Sequence, residues 1–207
     1  MKNFIWDFDG TLFDTYPHTV TVLHDYMKEL GKDLDFAGLY SICREHLGKA
    51  REYCGASEEQ WQEFYRREAH MDTPPLAKPY AGTRETLAAV ASSGGKNFLY
   101  THRDTVSVKY LRAFDLLPYF TGYITSENHM PWKPAPDAIL YLIDQFDLNP
   151  LETVMVGDRE IDILSGINAG VHTCLFTDGN PDAAQIQNTK AEAVAENMAA
   201  LRALYLL

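Results

Sequence analysis

Two aspartates near the start of the chain, Asp7 and Asp9, have the type and spacing of carboxylates that act together. They stand at alternate positions in WDFDGT, directly after an apolar run and directly before Gly10. Residues two apart in a β-strand point to the same side, so both carboxyl groups would face one reaction centre. On its own, the pair would favour a solvated acidic turn, because Asp and Gly are common turn residues. The chemistry therefore depends on what else the chain brings to the same place.

Four further polar residues follow apolar segments later in the chain. Thr101 ends KNFLYT, Asp158 ends TVMVGD, and Asp162 lies where a new helix would return its side chain to the same face. Lys133, in the loop WKPAPD, has a side chain long enough to reach in. In a parallel α/β sheet, ligands bind beyond the carboxyl ends of the strands. These residues are therefore expected to share one crevice with the two aspartates.

Several carboxylates in one crevice need a cation. Two like charges about 4 Å apart repel by roughly 4 kcal/mol at an effective dielectric of about 20, and a whole domain is stable by only about 5–15 kcal/mol. The carboxylates expected in the crevice are those of Asp7, Asp9, Asp158 and Asp162. They offer hard oxygen ligands, and no Cys or His is among them. Such ligands favour Mg²⁺. A calcium-binding EF-hand loop does not fit, because Leu12 stands where that loop needs glycine.

The elements that must position these residues alternate between strands and helices over most of the chain. The segment 3–7 predicts a first strand, and extended and helical segments alternate from residue 83 onward. Several of these strands are apolar throughout, which favours a parallel sheet covered on both faces. The span 15–80 predicts only helices, so it is expected to be an insertion after the first strand.

Two local patterns predict helix positions. Ser57 and Gln60 match a capping box, which predicts a helix that begins there. At the carboxyl end, four residues fall on one helical face and predict a last helix: Val194, Met198, Leu201 and Tyr205.

Composition limits the classes of partner. The chain has 207 residues, of which 46% are hydrophobic, so it can bury a core. A formal net charge of −11 disfavours nucleic acid and anionic membrane surfaces. No apolar run is long enough to span a membrane, and no secretory signal is visible. Cys43, Cys54 and Cys174 form no C-x-x-C pair, which favours reduced thiols and predicts a cytoplasmic protein.

Taken together, the motifs resemble those of the haloacid dehalogenase superfamily, over essentially the whole chain. Four motifs stand in the family's order and at similar spacing: DFDGT (7–11), YT (100–101), KPAPD (133–137) and GDREID (157–162). The helical insertion looks like the cap of the subfamily that includes phosphoglycolate phosphatase and β-phosphoglucomutase. PYAG, at 79–82, is also similar.

The resemblance implies an α/β fold with a doubly wound parallel-sheet (Rossmann-like) core and an inserted all-helical cap domain. The core would comprise 1–14 and 81–207, and the cap 15–80. It also implies that Asp7 is the nucleophile that forms an aspartyl-phosphate, and that Asp9 is the general acid and then the general base.

The same resemblance assigns the remaining ligands. Mg²⁺ would be held by Asp7, the Asp9 backbone carbonyl and Asp158, with Asp162 as a ligand or as the holder of a bound water. Thr101 and Lys133 would bind phosphoryl oxygens. The further candidates for substrate binding are Phe8, Gly10, Thr11, His102, Arg103, Arg44 and Lys49.

Several of these assignments have structural alternatives. Asp158 and Asp162 could be ordinary acids at a helix N-terminus, and Thr101 could simply pack in its strand. His102 and Arg103 could only cap the following helix. Arg44, Lys49 and Arg51 are equally consistent with solvated charges.

The function expected is a Mg²⁺-dependent phosphatase of a small phosphorylated metabolite. A β-phosphoglucomutase-like phosphosugar mutase with the same nucleophile is the alternative, although Thr11 leans towards the phosphatases. A signalling receiver module uses a similar Asp, Thr and Lys, but Asp9 and the helical insertion argue against it. A dehalogenase needs neither Asp9 nor a metal. The oligomeric state is not readable from the sequence.

Overall fold

The computed structural model describes residues 1–45, 47–69, 76–179 and 189–206. The chain divides into two compact units. One, which we call the core unit, comprises Met1–Phe13 and Pro79–Leu207. The other, the helical unit, comprises Asp14–Lys78.

The core unit is built on a six-stranded parallel sheet, which confirms the predicted fold class. The strands of the sheet are β1 (Asn3–Trp6), β4 (Lys96–Tyr100), β5 (Phe120–Ile124), β6 (Thr153–Gly157), β7 (His172–Phe176) and β8 (Ala193–Ala195). Their order across the sheet is β5-β4-β1-β6-β7-β8. Because β1 lies between β4 and β6, the carboxyl ends of these three strands are neighbours. Two further short strands, β2 (Phe13–Asp14) and β3 (Lys78–Pro79), pair with each other.

Both faces of the sheet are covered, as the apolar strands predict. On one face, Phe4 of β1 stacks on Trp6 with ring centroids 5.3 Å apart and meets Tyr205 of the last helix edge-on. On the other, Ile5 belongs to a buried cluster with Ile139 and Leu142.

The helices of the core unit are α5 (Thr83–Ser92), α6 (Val106–Ala113), α7 (Asp137–Phe146), α8 (Glu160–Ala169) and α9 (Met198–Tyr205). Single 3₁₀ turns lie at Leu117–Tyr119, Ser126–Asn128 and Pro150–Glu152.

The prediction that Val194 begins the last helix is wrong. Val194 lies in β8, which pairs with β7 at the edge of the sheet. The helix begins only at Met198, because the Asn197 side chain accepts a hydrogen bond from the Ala200 backbone N–H at 2.9 Å and caps it. The spacing of four residues between Val194 and Met198 therefore matches a helical period only by coincidence.

The helical unit contains α1 (Tyr16–Glu29), α2 (Phe36–Glu45), α3 (Leu47–Cys54) and α4 (Glu58–Glu68). The capping box at the start of α4 is confirmed: Ser57 and Gln60 exchange hydrogen bonds of 3.0 and 3.2 Å. Trp61 and Phe64 are buried in this unit's own core.

The three cysteines of the chain, Cys43, Cys54 and Cys174, are free and buried. Within the described residues, no helix combines the length and apolar character that crossing a membrane requires.

Candidate active site

Three carboxylates meet at the carboxyl ends of β1 and β6. Asp7 directly follows β1, and its backbone N–H donates to the Val156 carbonyl at 2.9 Å. Asp158 directly follows β6, and Asp162 lies in the first turn of α8. One oxygen from each of the three carboxylates lies within 4.8 Å of the other two, and all three residues are buried. The parallel pairing of β1 with β6 thus brings together residues that are far apart in sequence.

Asp162 reaches this cluster because Gly157 has no side chain. A Cβ atom at Gly157 would lie 2.2 Å from the Asp162 Cβ, which is closer than any real contact. The Asp162 Oδ2 accepts a hydrogen bond of 3.0 Å from the backbone N–H of Arg159, at the start of α8. The helix start and the glycine together fix the orientation of this carboxylate.

Lys133 lies at the centre of the cluster. Its Nζ donates to Asp7 Oδ1 at 2.6 Å, to Asp162 Oδ1 at 2.7 Å and to the Tyr100 carbonyl at 2.9 Å. The Lys133 side chain is completely buried. Its backbone N–H donates to His102 Nε2 at 2.9 Å. The loop before α7 therefore delivers one cation between two carboxylates.

The pKa values of the two carboxylates that contact Lys133 are shifted in opposite directions. Burial raises the pKa of Asp7 to about 6 from its usual 3.8, although Lys133 opposes that change. Burial acts on Asp162 in the same direction, but Lys133 and Arg159 outweigh it and hold the pKa of Asp162 below its usual value. Lys133 therefore does not fully offset the cost of burying the Asp7 carboxylate, and a further cation beside Asp7 would lower its pKa.

The donor set fits a magnesium ion. Asp7 Oδ2 is buried and has no hydrogen-bond partner among the residues that the structure describes. The cluster offers only carboxylate oxygens, which is the ligand type that Mg²⁺ prefers. Both oxygens of Asp162 already accept hydrogen bonds, from Lys133 Nζ and from the Arg159 N–H. This favours Asp7 and Asp158 as the side chains that would hold the ion.

The Asp9 carboxylate forms an ion pair with Arg103. Arg103 Nη2 lies 2.7 Å from Asp9 Oδ1, and its Nε lies 3.1 and 3.3 Å from the two carboxylate oxygens. Both side chains are largely covered, with 24% of Asp9 and 14% of Arg103 exposed. The sequence places both residues at the reaction centre, but gives no sign that they pair. The Asp9 side chain is not one of the three clustered carboxylates.

The other residues of the core unit that the sequence predicts as phosphate ligands differ in burial, hydrogen bonding and backbone conformation. Thr101 follows β4, is buried, and its Oγ1 accepts a hydrogen bond of 3.0 Å from the Arg103 N–H. Gly10 adopts φ = 72°, a left-handed conformation that favours glycine. Phe8 and Thr11 are fully buried, and the Phe8 ring stacks on Phe13 at 4.7 Å. The Phe8 side chain therefore packs in the core, which leaves only its backbone to bind a ligand.

The candidates in the helical unit have partners within that unit. The Arg44 guanidinium lies 5.4 Å from the centroid of the Tyr16 ring. Lys49 forms an ion pair with Glu45 one helical turn away, and Arg51 pairs with Glu58 at 2.5 Å. A role for Arg44 and Lys49 in substrate binding stays a prediction.

Two contributors to the cluster are not among the site residues predicted from the sequence. Tyr100 acts through its carbonyl and through its ring, whose centroid lies 4.5 Å from Lys133 Nζ. Arg159 acts through its backbone N–H and its charge. Its position between Asp158 and Asp162 in GDREID is the only hint that the sequence contains.

Comparison with known proteins gives concordant results. A family model described as haloacid dehalogenase-like hydrolase matches residues 4–176. The phosphoglycolate phosphatase of Nitrosospira multiformis is 25% identical over 96% of this chain and 92% of its own length. A HAD-superfamily subfamily IA hydrolase from Geobacter sulfurreducens superposes with a TM-score of 0.74, 25% identity and full coverage of both chains. A haloacid dehalogenase-like hydrolase from Streptococcus pneumoniae shares the fold, with a TM-score of 0.80, 20% identity, and 99% and 98% coverage of the two chains.

Proposed function

This chain belongs to the haloacid dehalogenase-like hydrolases, and we propose that it is a Mg²⁺-dependent phosphatase that hydrolyses a small phosphorylated metabolite through an aspartyl-phosphate on Asp7. The observation that carries this proposal is the buried cluster of three carboxylates around Lys133, with one oxygen of Asp7 that accepts no hydrogen bond from any described residue. Most buried side-chain oxygens in folded proteins have a hydrogen-bond partner, so a buried carboxylate oxygen without one is a candidate ligand for a cation.

Asp7 would be the nucleophile. One of its carboxylate oxygens attacks phosphorus, the ester P–O bond breaks, and the leaving alkoxide takes a proton from Asp9. Asp9 then removes a proton from the water that hydrolyses the acyl phosphate. Because Asp9 pairs with Arg103, this role requires the Asp9 carboxyl to exchange that partner for the leaving group or the water.

Positive charge around the phosphoryl group would supply most of the rate acceleration. Lys133, held between Asp7 and Asp162, and the Thr101 hydroxyl would bind non-bridging oxygens. Mg²⁺, held by Asp7, Asp158 and the Asp9 backbone carbonyl, would neutralise charge that develops on the same oxygens. Asp162 would orient Lys133 or a bound water.

We also propose that the helical unit acts as the cap, with Arg44 and Lys49 as substrate ligands. We further propose that the enzyme acts in the cytoplasm, because its three cysteines are free thiols.

A panel of phosphate esters tests the function. We expect phosphate release from one or more of phosphoglycolate, sugar phosphates, nucleotides and p-nitrophenyl phosphate, and loss of that release in EDTA. The same panel distinguishes the mutase, because a mutase would isomerise glucose phosphates and release little phosphate. Isomerisation without phosphate release would overturn the phosphatase assignment but would remain consistent with Asp7 as the nucleophile.

Magnesium binding is expected to stabilise the protein. At about 100 times its dissociation constant, a ligand that binds only the folded state adds about 2.7 kcal/mol to the free energy of unfolding. We expect this gain in denaturant titrations of the wild type and its loss in Asp158→Asn. Asp144→Asn, at an exposed position of α7, is the matched control and should keep the gain. An equal gain in both variants would remove Asp158 from the metal site.

A further inference from the structure

A cavity beside the candidate active site has no assigned role. It has a volume of about 260 Å³ and lies entirely in the core unit, where Thr101 and His102 form one wall, and Ser126 with residues 129–132 forms another. Ile124 and Thr125, at the end of β5, complete the lining with Tyr100, at the end of β4. The cavity therefore adjoins Thr101, which is one of the proposed phosphate ligands.

Trp132 forms an aromatic wall of this cavity. Trp132 is 63% exposed, although the side chain of the next residue, Lys133, is fully buried. Its indole meets the His102 imidazole edge-on, with ring centroids 4.3 Å apart, which fixes its orientation. An aromatic side chain that is packed on one side and exposed beside a cavity offers apolar surface to a bound ring, since covering it would remove that surface from water.

His102 supplies a second uncharged ring. Its Nε2 accepts a hydrogen bond from the Lys133 backbone N–H, so in the neutral ring the proton is on Nδ1. Burial and the nearby Lys133 charge lower the pKa of His102 to about 3, which keeps the imidazole neutral. None of the ten described residues that line the cavity is Asp, Glu, Lys or Arg. The described lining therefore carries no carboxylate, ammonium or guanidinium group, although it includes the imidazole of His129 as well as that of His102.

The size of the cavity fits one ring. Sites for drug-sized ligands are typically about 300–1,000 Å³, so a volume of about 260 Å³ suits a smaller group. Met130, Pro131 and Ile124 add apolar surface, while Thr125 and Ser126 add polar atoms. This mixture matches an uncharged alcohol better than a short carboxylic acid.

We propose that this cavity is the leaving-group subsite, and that it selects phosphate esters of an uncharged ring-containing alcohol, aromatic or heterocyclic, which stacks on Trp132. The proposal rests on the proposed phosphatase function, because it assigns the ester's alcohol to the space beside Thr101. It goes beyond that function by naming the class of substrate.

Binding of two phosphonates tests the subsite without turnover. Phenylphosphonate and methylphosphonate share the phosphoryl-like group and differ only in the ring. In isothermal titration calorimetry with magnesium chloride present, we expect the wild type to bind phenylphosphonate about tenfold more tightly. Trp132→Ala should reduce this ratio to nearly one, and Trp132→Phe should restore most of it. Tyr141→Ala removes an exposed aromatic residue of α7 outside the cavity and should leave the ratio unchanged.

Kinetics with phenyl phosphate and methyl phosphate give the second readout. We expect the ratio of the two kcat/KM values to fall about tenfold in Trp132→Ala. Equal weakening of both substrates and both phosphonates would show that Trp132 only supports Lys133 and His102, and would overturn the subsite. A wild type without ring preference would also overturn it. Turnover without ring preference leaves the phosphatase function intact. Ring preference in binding without any turnover would overturn the function, and with it the leaving-group role, and would leave only a ring-binding cavity beside Thr101.

Discussion

Asp7→Asn is expected to lower phosphate release by about 10³-fold or more, because an amide cannot form the acyl phosphate that the proposed reaction requires. The substitution keeps the size and shape of the side chain in a site where Asp7 is almost completely buried. The folded state should therefore survive, which circular dichroism and thermal unfolding can verify. The measurement is steady-state phosphate release from the best ester of the panel, with Mg²⁺ at saturation.

Asp144→Asn serves as the matched control, since it makes the same chemical change at an exposed position of α7. It should retain wild-type turnover. If Asp7→Asn kept a tenth or more of the wild-type rate, the nucleophile would have to be another group, and the cluster around Lys133 would have only a structural role. A rapid-quench experiment adds an independent observation, because the wild type should give an acid-stable phosphoprotein that Asp7→Asn does not form.

The positions of Asp7 and Asp158 are predictable from sequence because they follow from strand order. Asp7 and Asp158 each directly follow an apolar strand, and parallel strands end at the same edge. The α/β class and the alternation of elements follow from the same apolar runs. The motifs that carry the family resemblance add Lys133, whose loop would otherwise be free to project anywhere.

The pairing of side chains within the site is not predictable in the same way. The Asp9–Arg103 ion pair depends on the conformations of two loops and on the rotamer of a long side chain. The contact between Trp132 and His102 similarly joins two loops that have no fixed register in sequence. Strand order limits which loops are neighbours, but it leaves open which atoms within them meet. The proposed class of leaving group depends on the second of these contacts.

Lys133→Met is expected to produce the largest loss of stability, because it removes the cation that contacts two buried carboxylates. Breaking a buried ion pair on one side costs about 3–5 kcal/mol. We expect a loss of that size in the free energy of unfolding at pH 8 in EDTA, measured by denaturant titration. Lys109→Met, an exposed lysine of α6, makes the same change and should cost far less.

The loss in Lys133→Met should depend on pH with a definite sign. The pKa of Asp7 in the folded wild type, about 6, exceeds its usual 3.8, so the free energy of unfolding falls as the pH rises from about 3.8 to about 6 and is level above that. Lys133 lowers the pKa of Asp7, so its removal moves the folded-state pKa higher, and in the variant the fall continues to a higher pH than in the wild type. At pH 5 the variant's Asp7 is protonated when folded, and the difference from the wild type should shrink. A loss that is equal at pH 5 and pH 8 would show that the variant fails through packing, and that the charge of Lys133 does not hold the cluster together.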